Sequence, residues 1–456
     1  MLRRLLSYLS PPTEGGVVVL TPEQRTAVRA LYTPSVLMLG GSAVLMLAVY
    51  LGYVQSTLST FTTYGENVMF NSLCLGILVC YATLPARRGE LRWVVPLGIV
   101  GELIRFVNHP SWWSFTMRLQ TFGYVSGLIT LVFIGWRAWR AEGDEALWAR
   151  AMLLLSLIMF FFPNVSWMLH TIVINHTPTL VDAYAYTVDG AFGVQPAAQA
   201  ALLVKSSTFM WYLTFYVYNE LPLFMIIAVL LSLRWPRACY GQLMLHMTLI
   251  GLVGFICYKM VPMKGIDLFV GEPWPAGPLP HVSPPAPYDD ASGATRNCYP
   301  SLHLGWMLAI FFGTRRVARW VTAFFGFCVA VMVVATLNVG HYAVDLVASV
   351  PYVVAFFGLI NVAREGNRTS RVAAVAVGTA LFCGFTWAML HDPEGLASSP
   401  ARLAVIVGLI LALALGVENW MANTTVTRPT ADEIAGLDAP MSSQDTEHAE
   451  APALVG

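Results

Sequence analysis

Apolar runs of membrane-spanning length, separated by short arginine-bearing connections, constrain this chain more than any other feature. A helix that crosses a bilayer needs about 20 mostly apolar residues. Such runs fall near 36 to 54, 67 to 84, 93 to 108, 119 to 136, 149 to 168, 217 to 233, 241 to 262, 302 to 314, 317 to 338, 342 to 363, 372 to 390 and 402 to 420, the eighth being short. Of 456 residues, 57% are hydrophobic and only 11% charged, with a mean hydropathy of +0.63. That balance excludes an ordinary soluble globular protein. The expected fold class is therefore all-α, a polytopic integral membrane protein with about 12 transmembrane helices.

Orientation follows from the positive residues, which stay on the cytoplasmic side. Net charge is zero, but the arginines are clustered. Arg3, Arg4, Arg25 and Arg29 precede the first run, Arg87, Arg88 and Arg92 follow the second, and Arg137, Arg140 and Arg150 surround the fourth connection. Arg234 and Arg237, then Arg315, Arg316 and Arg319, then Arg364, Arg368 and Arg371 continue the alternation. Both termini are expected in the cytoplasm, with the connections 169 to 216 and 263 to 301 on the opposite face. The first 35 residues lack the apolar core and small-residue cleavage site of a signal peptide and read as a cytoplasmic lead-in. A bacterial inner membrane, with the outer connections in the periplasm, fits these features.

The stretch "CYPSLHLGW" puts His303 at the outer end of one apolar run, and "NVGHYAVDLVA" puts His341 and Asp345 at the outer end of another. His341 and Asp345 are four apart, on one helical face. A carboxylate so placed can hold one imidazole nitrogen and leave the other free to attack. Pro300 and Ser301 open a helix whose free N–H groups, dipole and hydroxyl suit a phosphate. His303, just behind, can protonate a leaving oxygen. Together these groups describe phosphoryl transfer through a phosphohistidine, with His341 as nucleophile, Asp345 as its orienter, His303 as acid and base, and Ser301 in the cradle.

"YPSLHLGW" followed by "GHYAVDL" resembles the second and third signature motifs of the type 2 phosphatidic acid phosphatase (PAP2) superfamily. The nearest likeness is to its inositolphosphotransferase branch, the inositol phosphorylceramide synthase-like proteins. "LVDAYAYTVDGAFGVQP" and "FYVYNELPLF" resemble the region that opens this domain. The resemblance covers about residues 175 to 365 and implies a six-helix catalytic core, metal-independent catalysis without a cofactor, and the three roles just given. It departs at the first motif, where "YKMVPMKGIDLF" offers Lys259 and Lys264 without an Arg-Pro pair, and before His341, where Val334 and Ala335 replace the usual Ser-Arg. Because a phosphate beside a bilayer needs cationic partners, Lys259, Lys264 and Arg296 are the expected substitutes. Loss of the Ser-Arg pair leans toward transfer rather than hydrolysis.

The implied organisation is a lead-in over 1–35, a five-helix region over 36–168, a PAP2-like catalytic domain over 169–365, two helices over 366–421 and a disordered cytoplasmic tail over 422–456, whose composition is polar and acidic. The expected function moves a phosphate or phospho-headgroup from a lipid donor to a lipid hydroxyl or water, without nucleic acid. Alternatives are a glycosyltransferase using a polyprenyl-phosphate sugar, for which the first outer loop offers only Glu66, and a transporter, for which no internal repeat is visible.

Other residues receive structural readings. The seven cysteines show no metal-binding spacing and read as small hydrophobes. His109, His170, His176, His246, His281, His391 and His448 read as ordinary packing or surface histidines, and Trp112, Trp113, Trp167 and Trp211 as boundary aromatics. Glu102 and Arg105, one turn apart in an apolar run, are expected to pair with each other or with another helix. Asp182 and Asp189 are expected on the wet side of an interfacial helix. Asp289 and Asp290, a possible metal pair, lie in a proline-rich outer loop and are expected to be solvated.

Overall fold

The computed structural model describes residues 2–427 and 429, apart from 15–16, 51–67, 86, 109–122, 273, 277–281, 283, 291–293 and 362–366. Glu66, His109, Trp112, Trp113, His281, Arg364, His448 and the acidic tail from 430 onward lie outside these described residues. Among them the longer helices follow in order as α1 (Leu2–Leu9), α2 (Pro22–Ala30), α3 (Tyr32–Tyr50), α4 (Val68–Ala82), α5 (Arg88–Asn108), α6 (Tyr124–Arg140), α7 (Gly143–His176), α8 (Asp182–Asp189), α9 (Pro196–Ser206), α10 (Thr208–Asn219) and α11 (Leu221–Arg234). They continue as α12 (Leu243–Met260), α13 (Ile266–Val270), α14 (Leu302–Thr314), α15 (Arg319–Asn338), α16 (Ala343–Asn361), α17 (Arg368–His391), α18 (Pro393–Ala397) and α19 (Pro400–Thr425). Two short antiparallel pairs complete the described elements, and one of them, Thr179–Leu180 against Tyr288–Asp289, fastens the proline-rich loop to the segment before α8.

Among the described residues six helices are long and apolar enough to cross a membrane: the Gly143–Phe162 part of α7, α12, α15, α16, α17 and α19. A seventh arises if α10 and α11, which meet at 55°, form one bent span. The bend falls where Pro222, next to the start of α11, cannot donate the hydrogen bond that would continue α10. About twelve spans were expected; the helices outside this count of the described residues are shorter or carry more charge. α14 has 13 residues and α6 has 17. α5 is longer but carries Arg88, Glu90, Arg92, Glu102 and Arg105.

Capping explains several helix starts. Thr21 and Gln24 form a reciprocal capping box on α2, while Ser207, Ser301, Asn367 and Ser399 each accept an N–H in the first turn of the helix that follows. The amino-terminal helices are tied to the rest by polar bonds: Arg25 to Asp144 at 2.8 Å and Gln24 Nε2 to the Arg234 carbonyl at 2.9 Å. Glu102, which is buried, accepts the Ser126 N–H at 2.9 Å, and Arg105 lies over the Tyr124 ring. Both thus find partners on or beside α6.

The carboxy-terminal helices are part of the same packing. Gly358 of α16 and Gly378 of α17 stand where a Cβ would lie 2.6 and 2.7 Å from backbone atoms of the opposing helix, so only glycine permits the approach. Tyr299, in the loop before α14, is buried and shares a 2.8 Å hydrogen bond with Thr386 of α17. α17 therefore backs the loop that leads into α14 and His303.

Candidate functional site

The site is built where three backbone segments meet: the entry to α14, the turn between α15 and α16, and the link between α12 and α13. α15 ends in a turn in which Gly340 adopts φ +98°, a conformation open to glycine. A Cβ there would strike the Asp267 carboxylate at 2.1 Å, so glycine is required on both counts. The Gly340 carbonyl accepts the Ile266 N–H at 2.7 Å, and His341 donates its N–H to Thr336 at 3.1 Å. The turn is thus held on both sides before α16 begins.

His341 and Asp345 come together as their spacing implies. His341 Nδ1 lies 3.3 Å from Asp345 Oδ2, both residues being buried. The same carboxylate oxygen accepts the Tyr342 N–H at 2.9 Å, which fixes the carboxyl plane at the first turn of α16. Nε2 of His341 is then the nitrogen that can face a reacting atom. Asp345 Oδ1 is buried and has no hydrogen-bond partner among the described residues.

The second motif is stitched to the third through backbone. Ser301 donates its N–H to the Asp345 carbonyl at 3.4 Å, and the Ser349 hydroxyl reaches both the Ser301 and Asp345 carbonyls, at 3.0 and 2.8 Å. Ser301 is itself fully buried and its Oγ accepts the Leu304 N–H at 3.5 Å, so the hydroxyl serves as the α14 cap. Two residues on, His303 stacks on Tyr218 of α10 with ring centroids 4.1 Å apart, and the Tyr218 hydroxyl lies 3.2 Å from His303 Nδ1. The Ser301–Asp345 and Ser349 bonds thus tie the helix entry that carries His303 to the start of the helix that carries Asp345. Sequence reading reached both histidines but passed over Tyr218 and Ser349, which lie outside the two histidine motifs.

The cations are placed less simply. Lys264 Nζ and Arg296 Nη2 both reach Asp290, each at 3.3 Å. Arg296 is buried and also donates to the Thr177 and Asp290 carbonyls. Lys259 sits exposed in the last turn of α12. Asp290, expected to be solvated, is instead the acceptor for two cations, and Asp289 accepts the Thr179 hydroxyl at 2.8 Å. Ala335, one of the two residues that stand where Ser-Arg is usual, is buried.

α8 supplies the largest correction. Asp182 and Asp189, expected on a wet face, are both buried. Asp182 accepts four donors: the N–H groups of Lys264 and Gly265 and the hydroxyls of Tyr288 and Tyr342. Asp189 accepts the Ala343 N–H at 2.6 Å and the Val344 N–H at 3.1 Å, capping α16 from another part of the chain. The seven-residue spacing was read correctly as one helical face; that face points at the histidine turn. A pair of acidic residues in a weakly amphipathic helix gives no sequence sign of burial, since charged residues are rarely buried without partners.

Burial pushes the Asp182 carboxyl up to about 6, opposed by its four donors. For Asp189 burial is again the main cause, with the Asp345 charge adding to it against the Ala343 and Val344 N–H groups, and the value reaches about 8. Asp267 is raised as well, by burial. A carboxyl raised in the folded chain contributes stability that is complete below its ordinary range and is lost as pH rises through its folded value. Thermal stability is therefore expected to decline as pH rises from about 4 toward and through about 8. Asp189→Asn should flatten that decline in a melting series over pH. Asp189→Ala, which leaves two buried N–H groups without acceptors, should cost about 1–3 kcal/mol for each. A pH dependence unchanged in Asp189→Asn would remove this carboxyl as its source.

Comparison with protein-family models adds one finding. Residues 183–359 match the PAP2 superfamily model. The match begins in α8 and ends in α16, so it takes in Asp189, Tyr218, His303, His341 and Asp345. No curated protein and no solved structure matched the chain. A PAP2 superfamily domain is consistent with a lipid phosphatase or phosphotransferase, and the long apolar helices accord with a membrane protein.

Proposed function

We propose that the protein is a membrane lipid phosphotransferase that carries a phosphate or phospho-headgroup on His341. The observation that carries this reading is the His341–Asp345 pair, bonded through the Asp345 backbone to the helix entry that carries His303, within the residues matched to the PAP2 superfamily. His341 Nε2 attacks phosphorus, the P–N bond forms as the ester P–O bond breaks, and His303 gives its proton to the leaving oxygen. An acceptor hydroxyl then attacks, His303 takes its proton, and the P–N bond breaks. Asp345 holds Nδ1 and steadies the positive charge that develops on the ring. No metal or cofactor is needed for these steps.

Lys264 is the cation best tied to the site, because its backbone hangs on Asp182, which also holds Tyr342 next to His341. A substrate phosphate competes with Asp290 for Lys264, and Arg296 keeps Asp290 in place. Ser301 contributes through the α14 dipole, its hydroxyl being the cap and its N–H being held by the Asp345 carbonyl. Lys259 contributes longer-range charge.

The inositolphosphotransferase-like branch is the favoured family neighbourhood, with a lipid hydroxyl as acceptor. The topology we favour keeps twelve membrane crossings, both termini in the cytoplasm and the site on the periplasmic face of a bacterial inner membrane, on the alternation of arginine-bearing connections.

The test supplies purified protein in lipid vesicles with labelled phosphatidate, polyprenyl phosphates, and phosphatidylinositol with or without ceramide or diacylglycerol. Headgroup on a lipid acceptor is the expected product, retained in excess chelator. Free phosphate alone would make the protein a phosphatase, and loss of activity on chelation would overturn the metal-free mechanism.

A further inference from the structure

Cysteine enters the site as a third buried ligating group, and nothing in the proposed reaction uses it. Ligating atoms of Cys298, His341 and Asp345 all lie within 4.8 Å of one another, and all three residues are buried. Cys298 precedes the α14 entry by a few residues, and Ser301, on the same segment, bonds to the Asp345 backbone. The remaining valence is on the carboxylate: Asp345 Oδ1 is buried without a hydrogen-bond partner among the described residues.

We infer that Cys298, His341 and Asp345 form an inhibitory site for a thiophilic divalent cation such as Zn²⁺ or Cd²⁺. A thiolate sulfur, an imidazole nitrogen and a carboxylate oxygen make a donor set suited to tetrahedral binding, with the fourth position left for water. Bonds of about 2.0–2.3 Å put neighbouring donors of such a site roughly 3.3–3.8 Å apart. From separations of up to 4.8 Å the cluster must therefore close by about 1.5 Å at most, a movement within reach of side chains at two helix entries. Binding replaces the Cys298 S–H bond with a sulfur–metal bond, and the proton leaves to solvent. Hard cations such as Mg²⁺, which favour six oxygens, do not suit the set.

Inhibition rests on the proposed function, because a metal on His341 or on its orienting carboxylate stops the ring from attacking phosphorus. Binding does not rest on it. At ten times its Kd, Zn²⁺ is expected to lower headgroup transfer by roughly tenfold, with recovery on chelation.

The experiment titrates the purified full chain in detergent with Co²⁺ and follows the thiolate-to-cobalt charge-transfer band in the near ultraviolet. The band is expected in the parent, bleached by Zn²⁺ or Cd²⁺ but not by Mg²⁺, and lost in Cys298→Ser and in His341→Asn. Cys257→Ser, at a buried cysteine of α12, is expected to keep it. No band in the parent, or a parental band in Cys298→Ser, overturns the site; if Cys298→Ser does not fold, a parental band in His341→Asn does so. Should Co²⁺ bind as expected while the protein transfers no phosphate to any acceptor, the cation site stands and the phosphotransferase reading falls.

Discussion

His341→Gln is expected to lose phosphoryl transfer altogether, by about four orders of magnitude or more, since removing a nucleophile that works as a unit with its partners costs nearly all of the catalytic gain. Glutamine keeps a polar side chain of similar reach, so the turn at Gly340 and the α16 start should survive. Two measurements check this. Headgroup transfer should vanish, and rapid quenching with a labelled donor should trap an acid-labile, base-stable phosphoenzyme in the parent and none in the variant. Asp345→Asn should still form that phosphoenzyme, but more slowly by about 10²–10⁴, because an amide can present the wrong hydrogen-bonding atom to Nδ1. A phosphoenzyme in His341→Gln at parental yield would move the nucleophile elsewhere, and His303 would be the first place to look.

How far the site was legible in the sequence depended on how local each relation is. His341 and Asp345 are one helical turn apart, so periodicity alone puts them on one face, and the observed 3.3 Å contact needed no long-range information. The Ser301 cap was legible for the same reason, although its hydroxyl proves to be spent on Leu304. Relations that join distant segments were not legible. Nothing in "LVDAYAYTVDG" says that its two aspartates receive N–H groups from residues 264 and 265 and from 343 and 344. Buried carboxylates follow from the donors that meet them, and those donors lie 82 positions or more away in the chain. Lys264 and Arg296 were identified by charge, but their convergence on Asp290 depends on how the proline-rich loop folds back. The same limit applies to the spans. Apolar runs are visible one at a time, whereas α14 starts only at Leu302, after the Ser301 cap, and α10–α11 bend at a proline. Cys298 is the sharpest case, a residue that reads in sequence as a small hydrophobe and whose sulfur lies within 4.8 Å of the histidine and its carboxylate in space.

His303→Ala should lower transfer from an ordinary lipid phosphate by about 10²–10⁴, the usual worth of a positioned acid and base. Tyr218 stacks on the ring and holds Nδ1 at 3.2 Å, which leaves Nε2 to serve the leaving oxygen, and the ring sits in the first turn of a helix whose entry is bonded to the Asp345 backbone. The decisive measurement compares leaving groups. An alkoxide must receive a proton as it departs, whereas a nitrophenolate leaves without one. His303→Ala should therefore recover much of its loss when first-step release is measured from a nitrophenyl phosphate ester, and His341→Gln should recover none. Tyr218→Phe removes the hydroxyl but keeps the stacked ring, so its defect should be smaller than that of His303→Ala and appear on the same substrates. Equal losses for both leaving groups in His303→Ala would mean that this histidine positions the phosphate and does not carry the proton. In that case Asp267, whose carboxylate lies against Gly340 and feels the charge on His341, becomes the next candidate to exchange it with the leaving and entering oxygens.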